Sequence, residues 1–116
     1  MAIQARHAHD PDRGSVRRPL PRRLDSLAPG ASAQAVLEAA GWPDGIAKTV
    51  LVIGHQPTLG HVAALLMTGH QAEWSVKKSG IWWFQSRSRN GDGQTVLRAV
   101  INPDLCNPGF LAAQAP

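Results

Sequence analysis

One stretch near the middle of the chain, residues 49–67, most constrains the fold. It begins with TVLVI at positions 49–53, an unbroken run of β-branched residues and leucine, and continues with the loop GHQPT at 54–58. An apolar run without alternation is typical of a strand buried on both faces, as in a parallel sheet under helices. Apolar residues then recur at helical spacing over residues 59–68. We therefore predict a strand, a short loop and a helix capped by Thr58.

Further elements flank this stretch. Ser32 is suited to cap a helix over residues 33–40, which Gly41 would close. Residues 80–86 (GIWWFQS) and 95–101 (TVLRAVI) are typical of two strands joined by the turn sequence RNGDGQ. Helices alternate with strands, so we predict an α/β fold with a parallel strand between helices and a C-terminal β-hairpin.

The charge is divided unevenly along the chain. Residues 1–23 hold six arginines against two aspartates, which accounts for the whole net charge of +4, whereas residues 24–116 balance six basic with six acidic groups. The basic segment also lacks an apolar period, so we expect an irregular arm at 1–23, a domain at 24–105 and a tail at 106–116. Because the positive charge belongs to an arm rather than to a domain surface, we do not expect a nucleic-acid partner.

The cysteine content and the lengths of the apolar runs bear on where in the cell the protein is located. The chain has a single cysteine, Cys106, and no apolar run approaching the ~18–20 residues of a membrane span. It also has no apolar segment behind its N-terminal charges, as a secretory signal would have. We therefore expect a cytoplasmic protein with no membrane partner.

His55 is the residue whose predicted position most strongly indicates a ligand-binding or catalytic role. It would lie just past the carboxyl end of the strand and just before the helix, where ligands of open α/β sheets bind. The first N–H groups of such a helix are unpaired and favour an anion. A histidine there can bond a phosphoryl oxygen or give a proton to a leaving group. The alternative is an ordinary loop histidine satisfied by the backbone.

Four segments, in order along the chain, carry a resemblance to a known family. They are LAPGASAQAVLEAAGWP at 27–43, LVIGHQPTLGHVAALL at 51–66, WSVKKSGIWWF at 74–84 and VLRAVINPDL at 96–105. Together they resemble the SixA-type phosphohistidine phosphatases of the histidine phosphatase superfamily, which has the phosphoglycerate-mutase-like fold. The resemblance spans residues 24–105, roughly seven-tenths of the chain.

The resemblance implies a metal-independent phosphatase that uses two histidines. His55 matches the second histidine of the family, and Arg6-His7-Ala8 has the letters of the first motif, whose histidine is the nucleophile. Arg6, His7 and His55 are thus the candidate catalytic residues, and no cofactor or metal is expected. The implied partner is a signalling or phosphotransfer protein that carries a phosphohistidine.

The first half of the chain departs from the family pattern. Only 47 residues separate His7 from His55, too few for the helices and the strand that the family places between its two histidines. Either residues 1–23 are a shortened start that keeps the active pair, or they are an unrelated leader in which the letters arise by chance. The change of composition at Leu24 favours the leader, and with it a truncated, catalytically inactive fragment that binds phosphoproteins at most. Such a fragment would expose a strand edge and apolar surface.

Other residues that attract notice have simpler explanations. His61 follows His55 by six residues, which is not a spacing of metal ligands on a helix, so we expect a solvated side chain. Cys106 is a lone thiol without a recognisable base, and no catalytic role is expected. Lys77 and Lys78 are expected to be solvated, although they would also suit the mouth of a site that receives an acidic phosphoprotein.

Overall fold

Two helices and four strands form the fold over the residues that the computed structural model describes, namely 2–4, 21–45 and 47–106. The elements are, in chain order, β1 (Ala2–Gln4), α1 (Ala33–Ala40), β2 (Thr49–Leu51), α2 (Thr58–Thr68), β3 (Ile81–Arg89) and β4 (Asp92–Ile101). Short 3₁₀ turns occur at Asp25–Leu27 and Pro103–Cys106. The chain is therefore an α/β protein, as the sequence predicts.

The four strands form one mixed sheet in the order β2-β1-β3-β4. β1 pairs in parallel with β3 and antiparallel with β2, so β2 lies at an edge of the sheet. The prediction of a parallel strand buried on both faces at residues 49–53 is wrong, because Leu51 is 60% and Ile53 is 80% exposed. An apolar run indicates a strand, but it does not reveal that only one face and one edge of that strand are covered.

β1 lies in the interior of the sheet, between β2 and β3. Ile3 pairs with Val50 on one side and with Phe84 on the other. This strand corrects the irregular arm expected for residues 1–23 as far as Ala2–Gln4 are concerned. Three residues are too short a stretch for a period of two to show in the sequence, and the pairing comes from neighbours that lie far along the chain.

Helix α1 agrees with its prediction at both ends. The Ser32 hydroxyl accepts a hydrogen bond from the Ala35 N–H at 3.1 Å, which satisfies one of the unpaired donors of the first turn. Gly41 ends the helix in the left-handed conformation, at a φ of 72°. The N–H of Gly41 bonds to the carbonyl of Glu38 at 3.0 Å, as in a glycine C-cap.

Helix α2 begins one residue earlier than predicted, because Thr58 is its first helical residue rather than its N-cap. The Thr58 hydroxyl is turned towards the start of α1 instead, where it donates to the carbonyl of Ala31 at 2.8 Å. Gly69 closes the helix at a φ of 78°, as expected. The Thr58 bond therefore joins the beginnings of the two helices.

The predicted hairpin is present and longer than expected. Its strands extend inward to Arg89 and Asp92, which leaves a loop of two residues, Asn90 and Gly91. These have φ values of 53° and 85°, the signs that a type I′ turn requires at both positions. Asn-Gly is the preferred pair for that turn, and it places the strands in register.

The core lies on one face of the sheet, beneath both helices. Phe84 of β3 is fully buried there, and Val50 of β2 is half-buried and packs against the same cluster. The helices contribute Ala33, Val36, Leu37, Ala40, Leu59, Val62, Ala63 and Leu66. Helix α1 thus has one buried stripe, as expected for an amphipathic helix on a sheet, whereas α2 also buries Gly60 and Ala64 and is covered around more of its circumference.

The other face of the sheet is apolar and is not covered by any helix of the described residues. Leu51 and Trp83 both pair with Ala2, so they lie in one row across the sheet. Ile81 and Ile101 pair with each other and are 48% and 44% exposed. The open edge and apolar surface expected from the sequence are thus present in the described part of the fold.

Candidate functional site

His55 lies in the loop between β2 and α2, with its side chain exposed. Its backbone carbonyl accepts the N–H of Leu59 at 3.0 Å, a bond that already belongs to the first turn of the helix. Within the described part of the chain, its imidazole ring has no hydrogen-bond or ion-pair partner. The ring is therefore accessible to a ligand while the backbone that bears it is fixed.

The first turn of α2 is already hydrogen-bonded. Besides Leu59, the N–H of His61 donates to the carbonyl of Pro57 at 3.0 Å, and the N–H of Gly60 donates to the side chain of Gln56 at 2.7 Å. The bond from His61 is an ordinary helical bond to the N-cap carbonyl, so the expectation of unpaired amides at this helix start is wrong for Leu59 and Gly60. A side-chain amide holds the donor that an anion would otherwise bind.

Gln56 makes a second hydrogen bond from the same carboxamide. Its Nε2 donates to the carbonyl oxygen of Trp74 at 3.1 Å, eighteen positions further along the chain. Gly60 faces the same carbonyl so closely that a β-carbon on it would overlap the oxygen. Gln56 and Gly60 therefore both contact the Trp74 carbonyl, which lies against the start of α2.

Residues 74–78 continue into a tight turn that presents two lysines. Lys77 and Lys78 are exposed, and the N–H of Gly80 bonds to the carbonyl of Lys77 at 2.8 Å. Ser79 takes a left-handed φ of 60°, and Val76 is buried beneath the turn. The lysines lie three and four positions beyond Trp74, on the segment that Gln56 ties to the His55 loop.

Of the three predicted catalytic residues, the structure describes the position of His55. His55 is in the predicted place between β2 and α2, whereas Arg6 and His7 lie outside the described residues. Gln56 was not predicted to belong to the site, although its side chain makes two hydrogen bonds within and beyond the His55 loop. No signal for it exists in the sequence, because glutamine is not a usual helix cap and Trp74 is remote along the chain.

His61 has a local role that its spacing did not suggest. Its Nε2 lies 2.9 Å from Glu73 Oε1, and its Nδ1 lies 3.4 Å from the amide nitrogen of Gln71. The imidazole is mostly covered, at 17% exposure, so the expectation of a solvated side chain is wrong. His61 fastens the end of the 69–73 loop to α2 rather than contributing to the His55 loop.

The aromatic residues of β3 are structural. Trp82 contacts both Trp74 and Phe84, with ring centroids 6.1 and 6.2 Å apart, on the covered face. On the open face, the guanidinium of Arg98 lies 4.4 Å from the centroid of the Trp83 ring, a cation–π contact. These side chains are therefore divided between the two faces of the sheet.

A depression elsewhere on the surface lacks the chemistry of an active site. It has a volume of about 190 Å³, and His55 is not among its lining residues, which are Trp42, Pro43, Ser86, Gly93, Gln94 and Thr95. It has no acid, base or cationic group in its wall. Among residues 21–45 and 47–106, no group of three metal-ligating side chains comes together, and no helix is long and apolar enough to cross a membrane.

Comparison with protein-family models, with curated proteins and with solved structures finds no match to this chain.

Proposed function

We propose that the chain is a phosphohistidine phosphatase-like protein, which removes phosphate from a phosphohistidine on a signalling or phosphotransfer protein. The observation that carries the proposal is the placement of His55. It combines an exposed imidazole with a backbone fixed by the first turn of α2, in the loop that follows β2. A ring held in this way is suited to contact a bound phosphoryl group without reorganising.

In the proposed reaction, a ring nitrogen of His7 attacks the phosphorus as the N–P bond of the substrate phosphohistidine breaks. His55 gives its proton to the departing imidazole. Water then gives a proton to His55 as it attacks the phosphorus, the bond to His7 breaks, and inorganic phosphate leaves, so both histidines return to their starting states. Because the N–H groups of Leu59 and Gly60 are engaged, we assign the charge on the phosphoryl oxygens chiefly to side chains, with Arg6 foremost.

The experiment measures release of phosphate from a peptide that carries one phosphohistidine, with acid-labile phosphate trapped on the full 116-residue chain. We expect His55→Ala to lower turnover by ~10²-fold or more, the effect of losing a charge-stabilising or proton-transfer group. His7→Ala should abolish the trapped phosphoenzyme. His61→Ala is the matched control and should leave turnover unchanged, because its ring bonds to Glu73 instead. Turnover that is insensitive to His55→Ala would refute the assignment of the site.

A second candidate is a catalytically inactive protein that binds phosphoproteins. The engaged amides of α2 favour it, because the N–H groups of Leu59 and Gly60 are already bonded and are not available to a phosphoryl group. Retention of the phosphohistidine peptide without release of phosphate, weakened by His55→Ala, would support this candidate over the enzyme.

A further inference from the structure

The Gln56 carboxamide uses both of its polar ends in two different parts of the fold. Its Oε1 accepts the N–H of Gly60 at 2.7 Å, in the first turn of α2, and its Nε2 donates to the Trp74 carbonyl at 3.1 Å. Gln56 directly follows His55 in the chain. One side chain thus connects the His55 loop, the start of α2 and residues 74–78.

We infer that Gln56 is a positioning residue for His55, an inference that rests on the proposed function. The loop has two supports, both immediately after the His55 α-carbon: the Leu59 N–H bond to the carbonyl of His55, and the two bonds of the adjacent Gln56. With both in place the imidazole projects from a backbone that cannot turn freely. Without Gln56, only the bond to Leu59 remains.

The chemistry of the two contacts selects glutamine at this position. Gly60 offers a donor and Trp74 offers an acceptor, so the side chain must present one acceptor and one donor at the same time. An ionised glutamate would still accept from Gly60 but would bring a negative oxygen against the Trp74 carbonyl. An asparagine has the right groups on a stem that is one methylene shorter.

The close approach of Gly60 makes the arrangement specific. The Trp74 carbonyl fits against the helix only because position 60 has no β-carbon. Val76 is buried just beyond, and Trp74 contacts Trp82 of β3, so the segment is anchored on its far side as well. Gln56 is therefore the link through which a packed part of the core holds the loop that bears His55.

The test compares Gln56→Ala and Gln56→Glu in the full chain, with Gln34→Ala on the exposed surface of α1 as the matched control. Amide hydrogen exchange of Gly60 reports its hydrogen bond to the Gln56 side chain. The imidazole Hε1 resonance of His55 reports the position of the ring. We expect Gln56→Ala to speed exchange at Gly60 by ~5–10-fold, the loss of one hydrogen bond, and to move the His55 resonance. Gln56→Glu should restore protection at Gly60 but not the resonance of His55.

Kinetics on the phosphohistidine peptide separate this inference from the proposed function. If the wild-type chain turns the peptide over, Gln56→Ala should lower kcat by ~10-fold with little change in KM, because the ring is misplaced rather than removed. If the wild-type chain shows no turnover while exchange and resonance change as expected, the proposed function fails and the positioning of His55 stands. Exchange at Gly60 and a His55 resonance that both match wild type in Gln56→Ala would overturn the inference.

Discussion

The α-carbon of Gly60 faces the carbonyl of Trp74 so closely that no side chain fits between them. That oxygen also accepts the Gln56 hydrogen bond, so the segment from Trp74 onward is bonded to and packed against the same helical turn. The contact joins two parts of the chain fourteen positions apart, and α2 is bordered by a backbone rather than by a side chain at this point. A glycine within a helix usually destabilises that helix. At position 60 a glycine is nevertheless required, because the Trp74 carbonyl leaves no room for a β-carbon.

The first prediction concerns this contact. Gly60→Ala should lower the free energy of unfolding by about 2–3 kcal/mol, because the added methyl group would displace the Trp74 backbone, despite the better helix propensity of alanine. Urea denaturation of both proteins measures the difference. Gly69→Ala is the control at the other end of α2, where space is open but φ is 78°, and should cost about 1 kcal/mol. Equal losses in the two variants would contradict the role assigned to Gly60.

The second prediction concerns β1. Ile3 lies in a strand with neighbours on both sides, so its N–H bonds within the sheet whichever way it points. Ile3→Pro should therefore lower the free energy of unfolding by about 3 kcal/mol, whereas Ile3→Val, which keeps the N–H, should cost clearly less. Thermal unfolding followed by circular dichroism distinguishes them. A proline variant as stable as the valine variant would show that β1 contributes little to the sheet.

The third prediction compares the two faces of β3. Phe84 is fully buried under the helices, and Phe84→Ala should cost about 3–5 kcal/mol. Ile81, on the same strand, is 48% exposed, so Ile81→Ala should cost no more than about 1 kcal/mol. Urea denaturation again provides the measurement. A loss at Ile81 as large as that at Phe84 would mean that the open face is covered in solution.

The elements that the sequence predicts well are those whose signals are local. Ser32 and Gly41 mark the ends of α1 because capping depends on the residue itself and its nearest neighbours. Asn90 and Gly91 mark the hairpin turn for the same reason, since both adopt a positive φ. For the site, the place of His55 between a strand and a helix follows from the period of the residues around it.

The features that the sequence does not reveal depend on distant partners. The apolar run at 49–53 predicts a strand, but the exposure of Leu51 depends on which faces of the sheet receive helices. Ala2–Gln4 form a strand because β2 and β3 lie on either side of them. The second bond of Gln56 depends on Trp74, and no pattern within the loop indicates that partner.

β1 is much shorter than the hairpin, so it pairs with only a middle part of β3. β1 pairs with β3 from Trp83 to Gln85, and from Ser86 to the Asn90–Gly91 turn the hairpin strands are paired only with each other in the described sheet. A two-stranded ribbon is marginally stable by itself, while the inner part is held by three strands and by Phe84. Local unfolding of the hairpin should therefore begin at the turn and proceed along β3 and β4. It should stop at the positions where β1 also pairs with β3. The turn end of the hairpin can thus fluctuate while the strand positions nearest the helices stay closed.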